Sequence, residues 1–437
     1  MKDIWRWHKV IYKGKNIMKS TKMLALLLVV VAALSLAVAC ISDEGQQAVA
    51  TSILAAPTQA PAPTAAPAPV ATDVPAPTVR EIKIGLMSPI TGPISQYAPG
   101  FADASDIAIT QLNAAYPGFQ FELIIVDSGC DGTQAATAAQ SLVDAGVVAI
   151  VGAACSGATL GAIAVAAPAG IPMVSYASTS PAITTADDDG HLFRVVPSDA
   201  QQAIALSAVV SDAGISNPAV IYMTNDYGAG LSDNFELNWS DSLCTQVGYD
   251  PTEGSYDAST LAGSVVDGGC DSVVLMSYAT DGAAILEALL AQGFSGSVFG
   301  ADGVADATFQ EAFSDVAALD RLVATRSRPG TASNAKASFE SAYAAAGGSD
   351  GAIYTNETYD AIKLVAAAIV SDPDGDLLAA LKNVGVNYDG ASGVHTFDGA
   401  GDVLGTGYEV CQFAVAGATV NFSCPTIWTA DGGLSDG

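Results

Sequence analysis

Two doubly wound α/β lobes joined by a hinge are predicted for the chain beyond residue 79, on three observations. Short apolar runs rich in Val and Ile alternate with Ala-rich stretches of helical length, the rhythm of a parallel sheet built from strand–helix units. Several of those runs have no polar face, as strands covered by helices on both sides require. The rhythm restarts after Pro197, and the stretch from Arg80 to Gly437 is longer than one ordinary core holds.

In the first half the runs 82–87, 121–126, 147–151 and 171–175 are read as strands, with helices at 101–115, 133–145 and 157–168 between them. In the second half the strands are 219–223, 272–276, 297–300 and 321–325, and the helices 201–213, 229–243, 258–267 and 280–292. Helical patterns at 333–346, 354–370 and 376–384 then return the chain to the first lobe, and a hairpin-like tail follows. The expected division is 80–198 with 330–393 for the first lobe and 199–329 with 394–437 for the second.

The N-terminal part carries a different message. Residues 24–39 are apolar apart from Ser35 and follow Lys19 and Lys22, the layout of a signal peptide with too short an apolar core to span a bilayer comfortably. The run Leu36-Ala37-Val38-Ala39-Cys40 resembles the lipobox of bacterial lipoproteins, so 1–40 is read as a lipoprotein signal peptide with Cys40 the lipidated residue; a retained anchor helix is the alternative. Either reading puts the remainder outside the cytoplasm, on a membrane. Residues 41–79, rich in Ala, Pro and Thr, bury too little to fold and are read as a disordered linker.

Of the 16 basic residues, seven fall in the first 22 positions; of the 45 acidic ones only Asp3 does. So acidic a body repels nucleic acid and anionic headgroups, and its charge fits solubility in a salty medium.

Six further cysteines in an exported chain are expected to pair. If Gly417-Ala418 is a two-residue turn, Cys411 and Cys424 lie directly opposite at a non-hydrogen-bonded site. Cys130 and Cys155 both follow strands at their carboxyl edge, and Cys244 and Cys270 remain as the third pair. Metal ligation is disfavoured, since no two cysteines have tight ligand spacing and His191 and His395 stand alone. No cofactor is expected.

In open α/β sheets ligands bind beyond the carboxyl ends of the strands. There lie the loop Gly152-Ala153-Ala154-Cys155-Ser156, running into a helix start suited to an anion, the hydroxyl-rich loop Tyr176-Ala177-Ser178-Thr179-Ser180, and Asp302 after strand 297–300, placed to hold an ammonium. Taken singly, Ser156 or Thr179 reads as a helix cap and Asp302 as a turn residue.

Together with Ile82-Lys83-Ile84-Gly85, Thr91-Gly92-Pro93, Gln96-Tyr97, Cys130-Asp131, Cys155-Ser156 and Asp226-Tyr227-Gly228-Ala229-Gly230, these loops resemble the type I periplasmic solute-binding proteins of branched-chain amino acid ABC transporters. The resemblance runs from 81 to about 408 in order and spacing. It implies the two-lobed type I fold and a monomer that hands an amino acid to membrane permease subunits. It also implies that Ser156, Thr179 and the Ala177 backbone grip the ligand's α-carboxylate, that Asp302 pairs with its α-ammonium, that Tyr97, Tyr227 and Tyr278 wall the cleft, and that Cys130 bonds Cys155. Asp302 stands where some members have the longer Glu, and Tyr278 sits in Ser277-Tyr278-Ala279, a less aromatic setting than usual.

Rival readings are a sensory receptor domain on the same fold, binding of a small amide or urea-like solute, and a hydrolase using Ser156. The hydrolase reading lacks a nucleophile-elbow pattern and a histidine poised to activate the serine, so no enzyme activity is expected.

Overall fold

The computed structural model describes residues 79–437 except 253, 331 and 349–351. Cys40, the segment 1–40 and the linker up to residue 78 lie outside the described residues. Among the described residues no helix is long and apolar enough to cross a membrane.

The first lobe is a five-stranded parallel sheet of β1 (Arg80–Ser88), β2 (Phe119–Asp127), β3 (Ala149–Val151), β4 (Met173–Ser175) and β5 (Leu192–Arg194), in the order β2-β1-β3-β4-β5. Helices α1 (Ala98–Ala115), α2 (Gly132–Asp144), α3 (Ser156–Ala166) and the single turn α4 (Pro181–Thr184) connect them. After β5 the chain crosses over, and Ser198 caps α5 (Asp199–Asp212) through the Ala200 amide. Strands β6 (Pro218–Met223), β7 (Thr245–Tyr249), β8 (Ser272–Met276), β9 (Ser297–Gly300) and β10 (Leu322–Ser327) alternate with α6 (Asp226–Asn238), α7 (Ala258–Gly268) and α8 (Ala279–Ala291). Their order, β7-β6-β8-β9-β10, repeats that of the first lobe. Each lobe therefore reverses its winding between its first and third strands, where a crevice opens at the carboxyl ends.

The chain returns to the first lobe as α9 (Asn334–Ala346), α10 (Thr355–Ser371) and α11 (Leu377–Val384), with α10 packed on α1 and on β3. A two-stranded ribbon follows, β11 (Tyr388–Asp389) with β12 (Val394–His395). Finally β13 (Tyr408–Ala416), β14 (Thr419–Thr429) and β15 (Gly433–Asp436) extend the second sheet antiparallel from β10.

Differences from the sequence reading have local causes. Strands β5 and β7 were not expected: β5 has only three residues, and β7, Thr-Gln-Val-Gly-Tyr, is an edge strand of mostly half-exposed residues with no continuous apolar run. The helix expected at 229–243 spans Asp226–Asn238, set at its start by Asn225 capping the Gly228 amide. Residues 394–402, expected in the second lobe, lie against the first: Phe397 packs on Phe193, and Asp402 pairs with Arg194.

Cys130 joins Cys155, Cys244 joins Cys270 and Cys411 joins Cys424, with Cα–Cα distances of 5.2, 5.6 and 3.8 Å. The last pair sits at a bulge, not in a regular ladder: Val410 faces Thr426 while Gln412 faces Ser423, so Cys411 meets both Cys424 and Pro425, which has no amide to donate. Helices α2 and α3 approach closely at Gly132 and Gly161, where a Cβ on Gly161 would meet the Gly132 carbonyl oxygen. The potential metal donors Glu409, Cys411 and Cys424 cluster within 4.8 Å, but both sulfurs are committed to the disulfide.

Replacing both Cys244 and Cys270 by Ser frees a loop with a sequence separation of 26. We expect a stability loss of about 3 kcal/mol in denaturant titration, with ligand response unchanged because the bridge lies at the far, amino-terminal end of β8.

Candidate functional site

The loops at the carboxyl ends of both sheets meet. Tyr97, Ser156, Ala177, Thr179, Tyr227, Tyr278 and Asp302 all line one cavity, with Ile94, Phe101, Ala154, Gly303, Ile353 and Tyr354. Only about 30 Å³ remains free, room for a water or two. The lobes touch directly around it: the Tyr97 hydroxyl donates to the Gly303 carbonyl at 3.4 Å, Ser180 Oγ to the Asp226 carbonyl at 2.7 Å, and the Ile353 amide to Asp306 at 2.8 Å.

On the first lobe, Ser156 opens α3. The preceding residue, Cys155, is bonded to Cys130 and caps nothing, so no side chain takes the first-turn amides. Ser156 Oγ accepts the Ser180 amide at 3.2 Å, which leaves its own proton to donate. The hydroxyls of Thr159, Ser175 and Ser178 stitch the two loops together through the Ala153 carbonyl. Thr179 Oγ1 is buried at the cavity with no partner.

Arg194 holds this loop in place. It is fully buried, forks onto both oxygens of Asp402 at 2.7 and 2.8 Å, and donates to the carbonyls of Ser178, Thr179 and Ser180 at 3.3, 2.9 and 2.9 Å. Three successive carbonyls committed to one guanidinium leave the loop little freedom.

On the second lobe, Asp302 begins a short turn after β9 and accepts from Tyr227 at 2.8 Å and, across the lobe junction, from Tyr354 at 2.6 Å. The Tyr227 and Tyr278 rings stack, with centroids 5.1 Å apart. Burial raises the Asp302 carboxyl above its usual range, and the Tyr354 and Tyr227 hydrogen bonds pull it partly back. Burial and the nearby Asp302 charge keep the Tyr227 and Tyr354 phenols protonated, as donors.

Sequence reasoning missed Asp199, Tyr354 and Arg194. Asp199 is fully buried without a well-formed hydrogen bond to either carboxylate oxygen, though the Thr179 hydroxyl and the Arg194 charge lie near enough to pull its carboxyl down. Burial holds its carboxyl well above the usual range, and the charge of Asp302 adds to that. In the sequence Asp199 follows the capping Ser198 and looks like an ordinary first-turn acid. Tyr354 precedes α10 with a left-handed φ of 59°, unusual for an aromatic, which turns the chain into the helix start. The pattern Phe193-Arg194, an arginine within an apolar strand, was the one visible signal for Arg194.

His395 is buried beside Ser392 (2.9 Å) and Asp360 (3.2 Å), but the carboxylate meets the same ring nitrogen as the hydroxyl. A nucleophile–base–acid relay needs the acid on the opposite nitrogen, so this set ties residues 391–395 to α10 instead. His191 sits in the turn before β5, near the Asp188 carbonyl.

With this geometry in view, the comparisons decide the family. A family model described as periplasmic binding protein matches residues 81–417. The chain belongs to that family, whose members are solute-binding proteins and not enzymes. It is 24% identical over 339 residues to the leucine-, isoleucine-, valine-, threonine- and alanine-binding protein of Pseudomonas aeruginosa, covering 76% of this chain and 90% of the relative. A Leu/Ile/Val-binding protein homologue of Brucella melitensis is 27% identical over 233 residues, 52% of this chain but only 63% of that protein. The isoleucine complex of the branched-chain amino acid transporter substrate-binding protein LivJ from Streptococcus pneumoniae has the same fold, with a TM-score of 0.69, 22% identity, and coverage of 79% of this chain and all of that one.

Both Asp199 and Asp302 bind protons more readily folded than unfolded, so their contribution to ligand-free stability is fully present below the unfolded carboxyl pKa and is lost as pH rises from there through their raised folded values. Asp199→Asn removes part of that loss. It should raise the unfolding midpoint of the ligand-free protein near pH 8 more than near pH 5 in parallel denaturation curves. Arg194→Met, which strands Asp402 and frees three carbonyls, should cost about 3–5 kcal/mol in the same measurement.

Proposed function

We propose that the chain is the extracytoplasmic substrate-binding protein of an ABC transporter and that it captures an amino acid, a branched-chain one above all, between its two lobes. One observation carries the reading. Across a single cavity, an unpartnered Thr179 hydroxyl and the open amides of the α3 start face the buried carboxylate of Asp302. That polarity complements a zwitterion, with its carboxylate on the first lobe and its ammonium toward Asp302.

In this reading Ser156 Oγ, Thr179 Oγ1 and the Ala177 backbone hold the α-carboxylate, and Asp302 holds the α-ammonium. Tyr97, Tyr227 and Tyr278 wall the cleft, and Ile94, Phe101 and Ile353 offer the apolar surface for a branched side chain. A ligand drives closure only by binding the shut form better, and a dipolar molecule does so because its charged ends are met by different lobes. Tyr354 belongs to the site as the first-lobe group that holds Asp302 when the cleft is shut.

The names of the relatives support this substrate class and, through it, permease subunits as partners. Lipid attachment at Cys40, with 41–79 as a tether and a monomeric body, completes the reading. The lobes are taken as 80–198 with 330–393, extended to 402 by the Arg194–Asp402 pair, and 199–329 with the remainder of the tail.

The test is thermal unfolding of the purified protein with each common amino acid. Leucine, isoleucine or valine at about a hundredfold excess over Kd should stabilise it by about 2.7 kcal/mol. Asp302→Ala should weaken binding by about 2–5 kcal/mol and abolish the shift while leaving the ligand-free protein folded. An undiminished shift in that variant would falsify the ammonium role.

A further inference from the structure

A second cavity, of about 500 Å³, lies beside the lobe junction, lined by Arg326 and Pro329 where the chain leaves the second lobe and by Phe339, Tyr343 and Glu357 of the first. Glu357 is 8% exposed, and its carboxyl accepts from its own backbone amide. Beside it, Asn356 Oδ1 is buried without a partner. The cations nearby are engaged: Arg326 pairs with Glu409 at 2.8 Å, and Lys336 donates to the Gly330 carbonyl at 3.2 Å. A buried acid and an acceptor lacking a donor, next to the ring of Tyr343, complement a positive charge on an apolar body.

We propose that this cavity is a second binding site, for a small molecule that carries a protonated amine on an apolar or aromatic body. The ammonium meets Glu357 and Asn356 Oδ1, and the body lies along Tyr343 and Pro329. Burial pushes the Glu357 carboxyl up to about 7; Asp360 raises it further, while Arg326 and Lys336 lower it. The free acid therefore tolerates the empty cavity, and a bound ammonium draws it into the charged form. Tyr354 lines both this cavity and the amino-acid cleft. Because both lobes form the walls, an occupant favours the closed state, and each ligand strengthens binding of the other by the same factor.

The experiment is calorimetric titration of the full chain with 2-phenylethylamine, and with 2-phenylethanol as the uncharged control. The amine, and not the alcohol, should bind saturably to the wild type and to Asp302→Asn, whose cleft lacks its acid. Glu357→Gln should weaken it at least about tenfold, the order of one charge-assisted bond, while the amino-acid-induced thermal shift persists. Ala344→Trp, at an exposed position on the rim, blocks the cavity without touching the core and should have the same effect if Glu357→Gln does not fold. No saturable amine binding to the wild type overturns the proposal. So does binding lost in Asp302→Asn but kept in Ala344→Trp, since the amine would then occupy the amino-acid cleft alone.

Discussion

The buried guanidinium of Arg194 is the constraint on which the site rests. A cation with no water around it must have every donor satisfied, and here the partners come from three stretches of chain: the 178–180 loop, Thr184, and Asp402 over two hundred positions later. Losing any of them strands a charge in the interior, so the loop holds one conformation. The same group anchors the return of the tail to the first lobe, just before the chain crosses for the last time. Loop shape and lobe connectivity thus share one electrostatic requirement.

Against that rigid half stands a half that is electrostatically unfinished. Asp302 has tyrosine hydroxyls but no cation to hold it, Asp199 near it has only the Thr179 hydroxyl and the more distant Arg194 charge, and both acids are buried. Burying acids without a cation destabilises the empty closed form, so their presence is better explained by a guest than by folding. The direct lobe contacts at Tyr97, Ser180, Tyr354 and Ile353 are few and polar, suited to forming and breaking as the hinge moves. Stability comes from elsewhere: two helix-covered sheets and three disulfides, none of which bridges the lobes.

Ser156, Ala177, Thr179 and Asp302 line one cavity because strand-end loops converge in a doubly wound fold, and strand ends are visible as the close of apolar runs; Tyr97, Tyr227 and Tyr278, which line it too, were named by resemblance to the family. What escaped notice lacked that mark. Asp199 hides as a helix-start acid, Tyr354 comes from a return segment whose docking no local pattern reveals, and β5 and β7 are too short or too polar to show periodicity. Residues 394–402 were assigned to the wrong lobe because a connector has no hydrophobic rhythm, and its place follows from pairing with Arg194.

By itself the sequence determined the class of fold, the rhythm of strands and helices, the pairing of Cys411 with Cys424 across a turn and the hydroxyl-rich and acidic loops, since each is written in local chemistry at short range. Only the tertiary structure decided that a second acid, Asp199, is buried near Asp302, that Tyr354 reaches across to hold Asp302, and that a second cavity opens behind Tyr354. Those properties depend on burial and on distances between residues far apart in the chain, and neither has a signature along it.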